Sequence, residues 1–229
     1  PEQYGRLYAA LLRKGWRLIN DPAAYRHCHY LPESLEIIAA HTPRTIWLPL
    51  DGPPDFAALM NRLAVFGSAP LILKDYVKSR KHDWDTACFI PAADDAARVR
   101  SVVERFIALQ GADLNEGLVF REFVDFQPLA AHPKSGMPLT REFRAFWADG
   151  RPICVTPYWD EVAYDSAGPP LDRFAELAGR VRSRFWTMDL AQRPDGSWMI
   201  VELGDGQVAG LPENADPAAF LAALASAAG

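Results

Sequence analysis

The sequence predicts an α+β fold built as two lobes. Helical and strand patterns interleave along the 229 residues, and two antiparallel β-hairpins follow in the second half, at residues 140–158 and 185–206. Helices interleaved with antiparallel hairpins are typical of α+β proteins, and a chain of this length can bury two hydrophobic cores. The pattern places the lobe boundary near residues 125–135.

Apolar periodicity and capping signals predict the elements of the first third of the chain. Apolar residues recur at helical spacing from Tyr4 to Leu11, and Gly15 can end that helix. Asp21 followed by Pro22 is a helix start signal, because aspartate caps a helix and proline suits its first position. Further helices are predicted from residue 32 and over 54–66, and strands over 16–19 and 45–50.

The remaining elements follow from the same signals. A strand begins at residue 70 and runs into a basic loop that contains Lys78. The later predictions are a return strand over 87–90, an amphipathic helix over 94–111, a strand over 118–124, a hairpin that turns at Asp149-Gly150, a helix over 171–181 and a last helix from Asp216-Pro217.

The hairpin at residues 185–206 brings acidic side chains together. Two apolar runs flank a Pro-Asp-Gly-Ser turn signal centred on Asp195-Gly196. Because side chains alternate between the two faces of a strand, Asp189 and Glu202 face each other on one surface. The predicted register pairs Arg193 with Trp198, Ala191 with Ile200 and Asp189 with Glu202, and assigns Met188, Leu190, Val201 and Leu203 to the core face.

The facing acids predict a metal site. Like charges directly opposite on a sheet are destabilising, so such a pair often has a cation between its members. Gly204 lets the backbone turn, and Asp205 can then bring a third carboxylate to the same place. Carboxylates without Cys or His nearby suit a hard ion such as Mg²⁺ shared with phosphate. The alternative is a solvated hairpin face with ordinary surface acids.

Basic side chains form a second group of candidates. Lys74 and Lys78 would share a face if their strand reached Lys78, and ammonium groups suit phosphate oxygens. The alternative for both lysines is a solvated run of charges. In the earlier hairpin, Glu142 and Arg144 share one face, so Arg144 either forms a surface ion pair with Glu142 or is held over a phosphate.

Composition and motif searches exclude several classes of protein. Apolar residues make up 49% of the chain, which argues against disorder, and a net charge of -5 argues against a broad nucleic-acid-binding surface. No apolar run reaches the roughly 18 residues of a membrane span. Three widely spaced cysteines give neither a disulfide framework nor zinc spacing, and they fit a reducing cytosol. Neither common Gly-rich phosphate loop nor a Gly-x-Ser-x-Gly motif occurs.

His27 and His29 form the remaining candidate pair. On an extended segment the two imidazoles would share a face and could act as ligands, whereas on a helix they would not. No third ligand lies nearby in the sequence, so a structural role is favoured.

Five segments in this order carry a resemblance to a known family. They are the strand with Lys74 and Lys78, then Val119-Phe120-Arg121-Glu122-Phe123-Val124, Arg141-Glu142-Phe143-Arg144, Met188-Asp189-Leu190 and Val201-Glu202-Leu203-Gly204-Asp205-Gly206-Gln207. Together they resemble the ATP-grasp superfamily, and more narrowly its small bacterial and phage clade named for its arginine and lysine residues. The clade is also similar to a eukaryotic ATP-grasp protein that helps assemble a translation initiation factor.

The resemblance implies two α+β lobes with antiparallel sheets that enclose ATP, over about residues 45–212. It implies a reduced or truncated N-terminal region at 1–50, an N-terminal lobe at 51–125 and a C-terminal lobe at 126–229. The implied nucleotide contacts are Lys74, with Lys78 as a second phosphate contact, the interlobe linker Arg121, Glu122, Phe123 and Val124, and Arg144. The implied Mg²⁺ ligands are Asp189, Glu202 and Asp205, although Asp205 stands where many relatives carry Asn.

The resemblance also implies a reaction. A substrate carboxylate attacks the γ-phosphate of ATP, and an amine then displaces phosphate from the acyl phosphate. Arg144 and Lys74 are the implied catalytic residues, and a peptide or protein is one candidate substrate. The alternative is a non-catalytic ATP-binding module that chaperones a protein partner. Nucleic-acid joining or modification is disfavoured by the acidic composition.

Overall fold

The computed structural model describes residues 2–131, 138–164, 168–211 and 215–228. Part of the predicted boundary region, residues 132–137, lies outside these ranges. The helices are α1 (Glu2–Arg13), α2 (Pro22–His29), α3 (Leu31–Ile38), α4 (Phe56–Leu63), α5 (Trp84–Ala87), α6 (Ala96–Gln110), α7 (Ala175–Ala178) and α8 (Pro217–Ala228). The strands are β1 (Thr45–Pro49), β2 (Leu71–Asp75), β3 (Phe89–Ile90), β4 (Gly117–Glu122), β5 (Pro128–Ala131), β6 (Pro138–Thr140), β7 (Glu142–Ala148), β8 (Arg151–Pro157), β9 (Phe185–Gln192) and β10 (Trp198–Asp205).

The chain separates into two compact units. The continuous unit is Thr42–Val124, and the discontinuous unit combines Pro1–His41 with Asp125–Gly229. Helices and antiparallel sheets occur in both units, which confirms the predicted α+β class. None of the described helices combines the length and apolar character that a bilayer span requires.

The continuous unit contains a four-stranded antiparallel sheet in the order β1-β4-β2-β3. Because side chains alternate along a strand, Leu71 and Leu73 point to one face and Ile72 and Lys74 to the other. The leucines pack with α4 and α6 in the core, which contains the buried residues Leu59, Leu63, Phe66, Val99, Val102, Val103, Phe106, Leu118 and Phe120. The opposite face is therefore the one that carries Lys74.

The discontinuous unit contains a second antiparallel sheet in the order β10-β9-β7-β8 and a short ribbon formed by β5 and β6. Helix α8 packs on β8 and β7, and α2 packs on β10. Phe146, Phe185 and Phe220 contact one another in the cluster below α8. The first 41 residues thus belong to the same unit as residues 125–229.

A buried asparagine joins the N-terminal segment to the second sheet. The Nδ2 atom of Asn20 donates to Oδ2 of Asp205 and to the carbonyl of Phe185, each at 2.5 Å. Its Oδ1 atom accepts the N–H of Phe185 at 3.1 Å. Tyr4 adds a hydrogen bond of 2.9 Å to the Asn20 carbonyl, so α1 is tied to the same point.

Two predicted elements differ from the structure. Residues 16–19 do not form a strand, because Ile19 packs into the cluster below α8 and the N–H of Asn20 donates to Oε1 of Gln207 instead of to a neighbouring strand. The predicted helix over 171–181 is shorter, with a 3₁₀ turn at Leu171–Phe174 followed by α7.

Candidate active site

Four polar side chains form one row across the sheet of the discontinuous unit. Cross-strand pairing joins Thr156 on β8 to Arg144 on β7, Arg144 to Asp189 on β9, and Asp189 to Glu202 on β10. Residues paired across an antiparallel sheet share a face, so one surface carries a hydroxyl, a guanidinium and two carboxylates side by side.

Arg144 and Asp189 are joined by a bidentate ion pair. Nε and Nη2 of Arg144 each donate a hydrogen bond of 2.8 Å to one oxygen of Asp189. The two side chains are only 19% and 6% exposed, and the Tyr158 ring lies 4.9 Å from the guanidinium. Burial alone would lower the pKa of Arg144, but its hydrogen bonds to Asp189 and the attraction of that charge raise it. Arg144 thus remains positively charged and fixed in position. Its ion-pair partner is Asp189, whereas the sequence pattern suggested Glu142 as a candidate for that role.

The predicted facing of Asp189 and Glu202 is confirmed, although the register near the turn is different. Ala191 pairs with Met199 and Gln192 with Trp198, because the loop contains five residues, 193–197. A β-bulge at Val201 adds one residue to β10 and restores the pairing of Asp189 with Glu202. The one-residue shift caused by the longer turn is therefore offset by the one-residue bulge, and Asp189 and Glu202 pair as predicted.

Asp205 does not join this pair of acids. It pairs with Trp186, three positions along β9 from Asp189, so alternation directs it to the opposite face. There it is fully buried and bound to Asn20, and burial raises the pKa of its carboxyl group. The expectation that Gly204 turns the chain also fails, since β10 continues to Asp205. Across the described residues, no three His, Cys, Asp or Glu side chains are grouped to hold a metal.

Gly204 has a packing function within β10. A Cβ atom at this position would lie 2.6 Å from Oγ1 of Thr187, the residue that faces it on β9. This pair lies on the same face as Asp189 and Glu202, so the absence of a side chain at Gly204 lets β10 approach Thr187 closely beside the acids.

The continuous unit carries the predicted lysine on the sheet face opposite its leucine core. Lys74 pairs with Val119, and Arg121 pairs with Ile72, which places both cations on that face. Lys74 and Arg121 are each 8% exposed, and Arg121 donates a short hydrogen bond to Oγ1 of Thr42. The two cations thus form a basic pair on two adjacent strands.

Lys78 lies in the loop after β2, as predicted, so the strand does not reach it and the condition for a face shared with Lys74 is not met. The carboxylate of Asp75 accepts the N–H groups of Val77 and Lys78 at 2.7 and 2.5 Å, and the Asp75 N–H donates to the Lys78 carbonyl. The other carboxylate oxygen of Asp75, Oδ2, accepts hydrogen bonds from the side chain of Gln110 and from the backbone and side-chain nitrogens of Asn115. This buried carboxylate, which sequence reasoning missed, ends β2 and fixes the turn after Lys74.

The segment predicted to contact adenine begins at the end of β4. The N–H groups of Glu122 and Phe123 donate to the carbonyls of Arg44 and Pro70, each at 2.8 Å. Those two donors are therefore already used inside the unit. The backbone groups still to be considered as adenine contacts are the carbonyls of this segment and the backbone of Val124. The Phe123 ring packs edge-on against Trp84 and Phe89, and this aromatic cluster adjoins the face that carries Lys74.

Thr156 and Tyr158 are two further residues of the site that the sequence pattern did not predict. Symmetric counting from the Asp149-Gly150 turn pairs Arg144 with Val155, but a bulge between β7 and β8 makes Thr156 the partner. Oγ1 of Thr156 is buried and has no hydrogen-bond partner among the described residues. The same residue lines a cavity of about 500 Å³ with Ala219 and Phe220 of α8. Tyr158, which lies over Arg144, is positioned by its N–H bond to the Glu142 carbonyl at 3.0 Å.

His27 and His29 lie on helix α2, so they do not share a face and the favoured structural role is supported. His29 packs against the ring of Tyr25. Nδ1 of His27 lies 3.2 Å from Nη2 of Arg182, and burial, together with that arginine, lowers the pKa of His27.

Comparisons with solved structures show the fold. The D-cycloserine synthetase DcsG matches with a TM-score of 0.61 and 16% identity over 100% of this chain and 80% of that protein. D-alanine–D-alanine ligase from Bacillus anthracis gives 0.60 and 17% over 99% and 76%. The ATP-grasp ligase PsnB, in complex with a minimal precursor, Mg and ADP, gives 0.56 and 20% over 97% and 67%. No protein in the curated set matches the sequence.

A family model also matches the sequence itself. It describes an ATP-grasp domain, the third family of the clade named for its arginine and lysine residues, and covers residues 65–224, which is more than half of the chain. This match includes both basic strands and the row of Arg144, Asp189 and Glu202. The chain therefore belongs to this arginine- and lysine-named clade of the ATP-grasp superfamily, as its five motif segments indicated.

Proposed function

We propose that the protein is an ATP- and Mg²⁺-dependent ligase that joins a carboxylate to an amine through an acyl phosphate. The row of Arg144, Asp189 and Glu202 on one sheet face carries this proposal, because it offers a fixed cation beside two carboxylates in an ATP-grasp chain. That set of groups suits phosphate and a divalent cation and contains no protein nucleophile.

Asp189 and Glu202 are the proposed Mg²⁺ ligands. Mg²⁺ in phosphate-transfer sites is commonly held by one or two carboxylates, with phosphate oxygens and water completing the shell, so two facing acids fit this ion. When bound, the metal supplies charge neutralisation for the phosphates. Asp205 is not included, because it is bound to Asn20 on the opposite face.

The nucleotide contacts are proposed for the cations and aromatic residues of the continuous unit. Lys74 and Arg121 suit phosphate oxygens, with Lys78 at the exposed turn as a further contact. The aromatic cluster with Phe123 offers apolar surface for the base, beside the carbonyl groups that follow β4.

The proposed reaction proceeds in two balanced steps. A carboxylate oxygen of the substrate attacks the γ-phosphorus, the bond from that phosphorus to the β–γ bridging oxygen breaks, and ADP leaves. A neutral amine then attacks the acyl carbon, phosphate leaves, and the amine gives up one proton. Arg144 is proposed to stabilise the transferring phosphoryl group by its charge, since Nε and Nη2 of the guanidinium already donate to Asp189.

The proposal is tested by product analysis. The purified protein is incubated with ATP, Mg²⁺ and pools of amino acids and carboxylate-bearing peptides, which are suggested by the D-alanine–D-alanine ligase and by the ligase PsnB in complex with a precursor peptide. Release of ADP and phosphate that depends on a pool is expected, and the Glu202→Gln variant should lose it. Release of AMP and pyrophosphate would overturn the acyl-phosphate route. Tight ATP binding without turnover in any pool would favour the non-catalytic chaperone.

A further inference from the structure

A second cavity in the discontinuous unit is lined by an unusual number of arginines. Its volume is about 950 Å³, and its walls come from α1, α2, α3, the segments at 17–21 and 178–184, and the turn at Asp149-Gly150. Four arginine side chains line it, although the chain as a whole has a net charge of -5: Arg17, Arg26, Arg182 and Arg184.

The acidic side chains of this cavity already have partners. Asp149 accepts two hydrogen bonds from Arg184, at 2.8 and 2.7 Å, and Glu33 lies 2.9 Å from Arg26. Asp21 caps α2 by accepting the N–H of Ala24. Asp149 and Glu33 are therefore neutralised by arginine while Asp21 keeps its charge, so the four arginines exceed the three acids by one positive charge.

Arg17 and Arg182 remain without a carboxylate among the described residues. Arg17 is exposed at the cavity wall, next to the exposed Trp16. Arg182 lies against Nδ1 of the buried His27, which supplies no negative charge. Two guanidinium groups that form no ion pair with the described residues suit oxyanions, each of which a guanidinium can bind through two parallel hydrogen bonds.

The cavity is separate from the proposed active site. Arg184 lines the cavity immediately before β9, and Asp189 lies five residues further along, roughly 16 Å of extended chain. We propose that this cavity binds a ligand with two or more oxyanion groups, carboxylate or phosphate, through Arg17 and Arg182. Binding to this cavity is independent of the ligase reaction.

Titration calorimetry with two probes tests this site. Citrate represents a free polyanion, and a hexaglutamate peptide represents the acidic side chains of a polypeptide. The wild-type protein should bind at least one probe at low salt, and the Arg17→Gln/Arg182→Gln double variant should bind it at least tenfold more weakly. Preference for citrate or for the peptide identifies the source of the oxyanions.

A matched control separates the cavity from general charge effects. The Arg13→Gln/Arg173→Gln variant removes two exposed arginines of the same unit that do not line the cavity, and it should retain affinity within twofold. Equal losses in both double variants, or no binding of either probe to the wild type, would overturn the proposal. A parallel titration with Mg·ATP reports on the ligase site independently.

Discussion

Arg144 and Asp189 face each other across β7 and β9, and two hydrogen bonds of 2.8 Å join the guanidinium to the carboxylate. Asp189 also faces Glu202 on its other side. The protein itself therefore places a positive charge beside the two facing acids, which lowers the electrostatic cost of holding them together. Because Arg144 and Asp189 hold each other, variants of these two residues test stability, whereas variants of Glu202 test ligand binding.

Removing either member of the ion pair should destabilise the fold. Arg144→Met and Asp189→Asn should each lower the free energy of unfolding by about 2–3 kcal/mol, because each leaves a largely buried charge without its partner. Urea denaturation of both variants and of Arg144→Met/Asp189→Leu measures the coupling. The double variant should lose clearly less than the sum of the single losses, and simple additivity would contradict the role assigned to the pair.

Glu202→Gln is the cleaner test of metal binding. It removes one of two facing carboxylates and leaves the Arg144–Asp189 pair intact, so the melting temperature should stay the same or rise. The affinity for Mg·ATP should fall by tenfold or more, as measured by titration calorimetry. Glu36→Gln, at an exposed position on α3, serves as the control and should change neither quantity. An unchanged affinity in Glu202→Gln would exclude this residue as a ligand.

Lys74→Met should weaken nucleotide binding at least tenfold, or about 1.4 kcal/mol, because a buried ammonium group on the sheet face is lost. Lys81→Met removes an exposed lysine from the loop that follows and should leave the affinity nearly unchanged. Fluorescent-nucleotide displacement measures both variants. Equal effects would indicate that only the general charge of the loop matters.

Thr156→Val separates a binding function from a structural one. The Thr156 hydroxyl is buried and has no hydrogen-bond partner among the described residues, so its replacement by a methyl group should not lower the melting temperature. If the hydroxyl serves a ligand beside Arg144, the KM for substrate should rise or kcat should fall. A destabilised variant with normal kinetics would instead indicate a structural role.

The burial of His27 should make stability depend on pH. The pKa of His27 is lowered in the folded protein by burial and then by Arg182, with Glu33 acting weakly in the opposite direction. The unfolded chain therefore takes up a proton first as the pH falls below about 6.5, and stability is lost by at most about 1.4 kcal/mol per pH unit. Denaturation between pH 8 and 5.5 should show a smaller loss in His27→Gln than in the wild type. His82→Gln, an exposed control, should keep the wild-type slope.

Local sequence signals predicted much of the fold and part of the site. The Asp149-Gly150 turn has positive φ angles of 45° and 77°, as its sequence demands, and Asp21 caps α2 as predicted. The pairing of Asp189 with Glu202 also followed from counting, but only because the five-residue loop and the Val201 bulge compensate each other. Bulges leave no clear mark in one sequence, which is why Thr156 was missed.

Long-range contacts account for most of the remaining differences. Asp205 was grouped with the other acids because it follows them closely in the sequence, yet its partner Asn20 is 185 positions away. Asp75 likewise accepts hydrogen bonds from Gln110 and Asn115, which are 35 and 40 positions away. Periodicity and spacing contain no information about such partners, so the functions of these two carboxylates become visible only in the folded protein.

The separation of Asn20 from Asp205 also bears on how the chain folds while it is being synthesised. Domains generally fold as units during translation, and residues 42–124 can do so as one uninterrupted stretch. The helices before them cannot, because Asp205 leaves the ribosome 185 residues after Asn20. At usual elongation rates that wait lasts roughly 10–40 seconds. During this time α1 and α2 are nascent segments that chaperones can reach before β10 has been made.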